Sequence, residues 1–309
     1  SDFLRRPFYA AGLEVLLALI TGIAFTVVFT RSSALSTLLT VCGGAIGLWA
    51  LCALAFRTAA LLLSPVLALL VLVANFSSMS LFKFWLEERK ARQRTRELAL
   101  AQEAIIESMA SLTETRDPET GGHIKRTQNY VRLLAEALQG NPKHRNQLGG
   151  DAIALLYKSA PLHDIGKVGV PDSILLKPGR LTEAEFEEMK KHAVIGRDAI
   201  QATAGKLGNP SFLRVANEIA YTHHEKWDGS GYPQGLRGEA IPLSGRLMAL
   251  ADAYDALISR RVYKSPLPHA AAVQIIVKEK GTHFDPDVVD AFLATSEEFH
   301  RIARQYEDA

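Results

Sequence analysis

Apolar residues follow two patterns along the chain, three long runs near the N-terminus and a helical periodicity after them. The runs cover residues 9–30, 35–56 and 58–82, and Glu14 is the one charged residue within them. At about 1.5 Å rise per residue, each run can cross a hydrocarbon core of roughly 30 Å as a helix. Membrane helices tolerate glycines and a proline such as Pro65. The pattern therefore predicts three transmembrane helices.

Two other interpretations of these runs exist. The first run could be a cleaved signal peptide, although two further runs directly behind it argue against that. All three could instead be buried helices of a large soluble core. The basic segment 89–96 after the third run predicts that this end is cytoplasmic and the N-terminus outside. Because the chain begins at Ser1 rather than Met, we expect further extracytoplasmic sequence there, such as a sensor domain.

A helical segment, residues 86–115, follows the membrane runs. Leu98, Ile105 and Leu112 repeat every seven residues, and Met109 extends the same stripe. The stripe is typical of a short parallel coiled coil, which would make the protein a homodimer. A single helix that packs on the domain behind it has the same pattern, and the two interpretations stay open.

Beyond the linker the chain has the periodicity of helices. Apolar positions predict helices near residues 124–138, 152–158, 182–203, 212–223 and 243–259, and no run alternates like a strand. We therefore predict an all-α fold: three transmembrane helices (1–85), a helical linker (86–115) and a helical-bundle domain (116–309).

Composition narrows the chemistry of that domain. The net charge of +2 over 309 residues implies no global attraction for nucleic acid. The two cysteines, Cys42 and Cys52, lie in the apolar runs, so a disulfide framework is not expected. A metal would have to be held by histidine and carboxylate, which suits iron or manganese.

Several potential ligands lie on or at the ends of the predicted helices. Asp252 falls in an otherwise apolar helix, where a buried carboxylate must be paired or bind metal. Each residue taken singly is more often structural, but five histidines and three carboxylates together exceed the needs of one ion. Two or three closely spaced ions suit in-line displacement at phosphorus. The candidate ligands are Glu119, His123, His163, Asp164, His192, His223, His224 and Asp252.

Several short sequence motifs follow one another along the chain in an order that is typical of one protein family. Residues 163–167 read His-Asp-Ile-Gly-Lys, residues 229–233 read Gly-Ser-Gly-Tyr-Pro, and residues 252–257 read Asp-Ala-Tyr-Asp-Ala-Leu. With Phe284-Asp285-Pro286, these motifs resemble the HD-GYP family of metal-dependent phosphohydrolases, from about Arg116 to Phe292. The resemblance implies an all-α fold and hydrolysis of cyclic di-GMP to pGpG, and in many members on to GMP.

The resemblance also implies residue roles. The eight candidate ligands match metal ligands of the family, with Asp164 as the bridging and catalytic carboxylate. Glu119 matches the additional carboxylate of members with three metals. Lys167 matches the lysine that contacts the scissile phosphate, and Arg261 and Lys264 match cations that bind nucleotide phosphates. Val262 replaces the usual proline between these two.

Three functions are compatible with these residues. We favour a cyclic di-GMP phosphodiesterase in the bacterial inner membrane, with its catalytic domain in the cytoplasm and further signalling proteins as partners. One alternative is a metal phosphohydrolase for another cyclic dinucleotide or nucleotide. The other is an inactive receptor or scaffold, which the intact ligand set disfavours.

Overall fold

The computed structural model describes residues 7–31, 34–116, 122–206, 208, 210–260 and 265–306. They form two compact units, Ser1–Ala99 and Leu100–Ala309. The second unit begins within the predicted linker. Glu119, Arg261, Val262 and Lys264 lie outside the described residues.

The described residues are helical and contain no named strand, only an isolated bridge between Lys280 and Phe284, so the predicted all-α class is confirmed. The helices are α1 Ala10–Arg31, α2 Ala34–Ala59, α3 Val66–Arg116, α4 His123–Gln139, α5 Ala152–Ser159, α6 Asp172–Leu175, α7 Glu183–Lys206, α8 Ser211–Thr222, α9 Leu243–Ile258, α10 His269–Lys278, α11 Pro286–Ala294 and α12 Ser296–Gln305. Short 3-10 turns cover Ala160–Leu162, Ile165–Gly169 and Gly238–Ala240.

In the first unit, α1, α2 and the start of α3 are long and apolar enough to cross a membrane. The third helix begins at Val66, later than the predicted start at 58, and Pro65 precedes it rather than lying within it. Proline lacks the N–H of a helix interior and its ring clashes with the preceding turn, so it favours a helix start. The structure also explains how a charged residue, Glu14, is accommodated in α1. Its carboxylate accepts a hydrogen bond of 2.8 Å from the backbone N–H of Ser64.

Helix α3 is 51 residues long and continues through the predicted linker without a break. In the second unit its residues Ile106 and Ala110 are buried, and Ile106 packs in a cluster with Leu162. The side chains of Ile105 and Leu112, by contrast, are 60% and 68% exposed. One face of α3 therefore packs on its own domain, while the heptad stripe lies on another face that the single chain leaves exposed.

The main core of the second unit lies between α4, α9, α11 and α12. Tyr130 of α4 stacks on Phe299 at 4.4 Å between ring centroids, and Tyr254 of α9 meets the Tyr130 ring edge-on at 5.3 Å. These rings are fully buried, as are Leu134 and Leu247. Tyr254 is therefore a core residue. This core holds α4 and α9 side by side, and both carry candidate ligands.

Candidate metal centre

The candidate ligands come from five places in the second unit. His123 is the first residue of α4, and Asp252 lies in α9. His163 and Asp164 lie between two 3-10 turns, His192 lies in α7, and the pair His223 and His224 follows the end of α8.

The fold brings seven of the eight predicted ligands into two groups, each with its ligand atoms within 4.8 Å of one another. Glu119, the eighth, lies outside the described residues. The first group is His123, His163 and Asp252; the second is Asp164, His192, His223 and His224.

Asp164 lies between the two groups. Its Oδ1 is 3.3 Å from His192 Nε2 and 3.5 Å from His223 Nε2. Its Oδ2 is 3.3 Å from His163 Nε2, which belongs to the other group. Ligand atoms that surround one ion at about 2.1 Å lie roughly 3.0–3.4 Å apart. The spacing therefore fits ligand atoms that converge on divalent cations, with Asp164 in contact with imidazoles of both groups.

The imidazoles are oriented by backbone carbonyls. The Nδ1 atoms of His163, His192 and His223 lie 2.9, 2.7 and 3.0 Å from the carbonyl oxygens of Ala160, Met189 and Ile219. A carbonyl accepts, so each Nδ1 carries the proton and each Nε2 presents a lone pair. This is the second-shell arrangement that orients metal-bound histidines.

Two pairs of Nε2 atoms face each other at short distance. His224 and His192 approach to 3.1 Å, and His123 and His163 approach to 3.3 Å. Among the described residues, Asp164 Oδ1 and His223 Nε2 are buried atoms without a hydrogen-bond partner. Buried polar atoms are rarely left unsatisfied. Converging lone pairs together with these unsatisfied atoms fit divalent cations held by nitrogen and oxygen.

The charges agree with that fit. Burial lowers the pKa of His192 to about 4, and burial and then the neighbouring His223 lower the pKa of His224. Both imidazoles are therefore neutral at pH 7, as metal coordination requires. Burial alone would raise the pKa of Asp164, but Lys167 and His163 hold it well below its usual value.

One supporting ion pair could not be recognised from sequence. Asp255, three residues after Asp252, accepts hydrogen bonds from Arg126 Nε at 2.7 Å and Nη2 at 3.0 Å. Its Oδ2 also lies 2.8 Å from His123 Nδ1. Asp255 therefore orients His123 as the carbonyls orient the other imidazoles. The only sequence signal was the i, i+3 spacing of Asp252 and Asp255, which places both on one side of α9.

Two glycines allow close packing at the centre. A side chain at Gly166 would overlap the carbonyl oxygen of His192, so this glycine lets the 163–167 segment lie against α7. A side chain at Gly231 would overlap the backbone nitrogen of Lys226. The Gly-Tyr-Pro segment thus packs closely against residues 224–226. The ring of Tyr232 stacks on that of His224, with 4.7 Å between the centroids. The segment shapes a loop beside the centre.

A buried carboxylate completes that loop. Glu225 is 2% exposed and accepts hydrogen bonds from the backbone N–H groups of Gln234 at 2.7 Å and Leu236 at 2.9 Å. Its carboxylate therefore supplies acceptors for two backbone N–H groups of this turn. The sequence did not indicate this role.

Lys167 is the one predicted substrate-binding residue that the structure describes. Its Nζ lies 2.7 Å from Asp164 Oδ2, so its ammonium group is at the centre. Arg116, at the end of α3, donates a hydrogen bond of 2.6 Å to the carbonyl of Val168, the next residue. The segment that carries Lys167 is therefore attached to α3 as well as to α7.

Comparison with known proteins agrees with this geometry. The sequence model of the family described as HD domain matches residues 107–288. This chain therefore belongs to the HD domain family, and the relatives that follow support its resemblance to the HD-GYP branch.

A Vibrio cholerae protein named cyclic di-GMP phosphodiesterase is 58% identical over 213 residues, 69% of this chain and 43% of that protein. A Thermotoga maritima protein of the same name is 41% identical, over 66% of this chain and 52% of that protein. A third relative, the 3'3'-cGAMP-specific phosphodiesterase 2 of Vibrio cholerae, is 39% identical, over 66% of this chain and 37% of that protein. The chain spans about half the length of the curated relatives it matches.

Proposed function

We propose that this chain is a membrane-anchored, metal-dependent phosphodiesterase that hydrolyses cyclic di-GMP to pGpG, GMP or both. The observation that carries the proposal is the position of Asp164 between two groups of ligand atoms, because paired ions suit in-line displacement at phosphorus. The names of the relatives at 58% and 41% identity support the substrate. The relative at 39% identity favours a second candidate, 3'3'-cGAMP.

The residues divide into two ion sites in this proposal. His123, His163 and Asp252 would hold one ion, and His192, His223 and His224 would hold the other, with Asp164 between the two groups. Glu119 would supply a ligand for a third ion. Nitrogen and carboxylate ligands without thiolate suit iron or manganese.

When bound, divalent ions of such a centre supply a water-derived nucleophile at neutral pH and offset charge on phosphoryl oxygens. The protein contributes position and charge. Lys167 donates hydrogen bonds to a non-bridging oxygen of the scissile phosphate, since its ammonium lies at the centre. Arg261 and Lys264 bind the second phosphate of the ring. Asp255 keeps the proton of His123 on Nδ1, so that Nε2 faces the ion.

Location and assembly are part of the same proposal. Helices α1, α2 and α3 anchor the protein in the bacterial inner membrane, and the basic segment 89–96 lies on the cytoplasmic side with the catalytic domain. The exposed stripe of Ile105, Met109 and Leu112 supports a homodimer. A signal from outside, relayed through α3 or through signalling partners, would regulate the centre.

The test uses the full chain in lipid nanodiscs, purified without oxygen. We expect about two or three iron or manganese ions per chain and conversion of cyclic di-GMP to pGpG or GMP. His163→Ala and Asp164→Ala should abolish turnover in protein that remains folded, whereas His300→Ala, a histidine of α12, should not. Less than one ion per chain and no turnover on added metal would contradict the enzyme. Full metal content and nucleotide binding without turnover would instead support the receptor.

The role of Glu119 is tested separately. Glu119→Ala should lower the metal content by about one ion, because it removes a ligand of the proposed third ion. Asp117→Ala, two residues earlier, is the matched control and should leave the content unchanged. Unchanged stoichiometry in Glu119→Ala would reject the third ion.

A further inference from the structure

An exposed aromatic side chain lies beside the candidate metal centre and has no role in the mechanism above. Phe186, in α7, is 45% exposed. Its ring meets that of Tyr232 edge-on, with 6.2 Å between centroids and planes at 83°. Tyr232 in turn stacks on the candidate ligand His224 at 4.7 Å and 25°. The rings form a continuous row from the metal centre to the surface.

Helix α7 places Phe186 at a defined distance from the centre. His192 follows six residues later, which corresponds to about 9 Å along the helix axis. The start of the helix is held by a capping box, in which Glu185 N–H donates to Thr182 Oγ1 at 3.3 Å and Thr182 N–H donates to Glu185 Oε2 at 2.7 Å. Lys177 also binds the Glu185 carboxylate. Phe186 is therefore on a rigid element rather than on a loop.

A cation lies over the same rings. Lys190, one turn after Phe186, has its Nζ 5.2 Å from the centroid of Phe186 and 5.6 Å from that of Tyr232. Its ammonium also pairs with Glu187, whose side chain is 61% exposed. Because the carboxylate partner is exposed, this ion pair is worth little, and the ammonium can exchange the carboxylate for a phosphate at small cost. The row thus offers an aromatic face and a cation next to each other.

We propose that Phe186 is a stacking platform for one nucleobase of a cyclic dinucleotide whose scissile phosphate lies at the metal centre. Lys190, beside that ring, is a further cation for the same phosphate. This inference rests on the proposed function and names its substrate-binding surface. Aromatic rings stack on any base, because every base has a π-face. The platform therefore contributes affinity for cyclic dinucleotides as a class and does not select guanine over adenine.

The test compares KM values of the full chain in nanodiscs for cyclic di-GMP and 3'3'-cGAMP. Phe186→Leu, which keeps apolar volume but removes the ring, should raise both KM values about tenfold. Phe186→Tyr should restore wild-type values. Lys190→Gln should raise both KM values and weaken their dependence on salt. The matched control is Tyr157→Leu, which removes a ring that packs against Arg132 on α4 in the same cation–ring geometry, and it should have no effect.

Inorganic phosphate separates the platform from the metal centre, since it binds the ions but has no base. Its inhibition constant and the metal content should be the same in Phe186→Leu as in wild type. Equal weakening of phosphate and dinucleotide, unchanged KM values, or an effect on only one dinucleotide would overturn the platform. If wild type binds dinucleotide without turnover, the proposed hydrolysis fails alone, and dissociation constants of the same variants decide the platform. If wild type binds none, both proposals fail.

Discussion

The carboxylates of Asp164, which is partly buried, and Asp255, which is buried, both contact imidazoles of one cluster, but their surroundings differ. Asp255 accepts from the Arg126 guanidinium, from His123 and from the Ser259 hydroxyl at 3.2 Å. Asp164 has Lys167 on one oxygen, while its other oxygen faces two imidazoles without a hydrogen bond. The protein by itself satisfies Asp255 and does not satisfy Asp164.

The difference separates support from function. A buried charge that the fold pairs completely holds elements together, here α4 and α9. A buried charge that the fold leaves incompletely paired is costly unless a ligand completes it. In the proposed centre Asp255 is therefore a positioning residue, and Asp164 is the carboxylate that bound cations would complete. Substitution of Asp255 should affect folding more than activity, and substitution of Asp164 should affect activity more than folding.

The largest effect is expected at Asp164. Asp164→Asn removes the shared ligand, so turnover should fall by roughly a thousandfold or more, corresponding to several kcal/mol of lost charge stabilisation. Metal analysis should show lost ions. In metal-free protein Asp164→Asn should lower the thermal midpoint less than Asp255→Asn does, because one oxygen of Asp164 has no hydrogen-bond partner to lose. A large fall in that midpoint would contradict the comparison.

Asp255→Asn should affect folding more than activity. Arg126 would be left buried without its carboxylate partner, which should lower the free energy of unfolding by about 3–5 kcal/mol, or roughly 10 °C in thermal midpoint. Metal affinity should fall about 10- to 100-fold, because His123 loses the group that orients it. Thermal scans of metal-free protein and metal titrations measure the two effects. Arg132→Gln, at the exposed side of α4, is the control.

Metal removal should reveal the same contrast. Chelation should lower the thermal midpoint of wild type, since ions that bind only the folded protein stabilise it by mass action. With metal 100-fold above its dissociation constant the loss is about 2.7 kcal/mol. Asp164→Asn should show little further change on chelation. Equal shifts in both proteins would place the ions elsewhere.

The smallest effect is expected at Glu185. Hydrogen bonds from Lys177 and Thr182 lower the pKa of this carboxyl to about 2. The pKa of Asp255 is also about 2, because His123 and Arg126 lower it by more than burial raises it. A depressed carboxyl pKa stabilises the folded state above about pH 4.5, and the contribution disappears as the pH falls towards 2. Because Glu185 is partly exposed, Glu185→Gln should lower the midpoint at pH 7 far less than Asp255→Asn, and the difference from wild type should vanish near pH 2.

Much of the fold followed from local pattern. The predicted helices 152–158, 212–223 and 243–259 agree with α5, α8 and α9 to within one residue at each end. The start of the third apolar helix was misplaced. Residues 60–65 are mostly apolar like their neighbours, but α2 ends at Ala59, the next residue has a φ of 49°, and Pro65 directly precedes α3.

The site was predictable only in part. Motif spacing indicated the ligands, and the fold brings seven of them together. The motif spacing did not indicate that Arg126 pairs with Asp255 or that Phe186 meets Tyr232. These partners are far apart in sequence, and each residue has an ordinary surface or core role on its own. Pairing of this kind depends on how α4, α7 and α9 pack.

The sequence by itself determined the helical class, the three apolar segments and the set of candidate ligands, because hydrophobic periodicity and side-chain chemistry are local properties. Only the tertiary structure decided which oxygen of Asp164 faces which group, and which buried charges the protein itself satisfies. Those properties depend on distances of about 3 Å between helices, which no local pattern encodes.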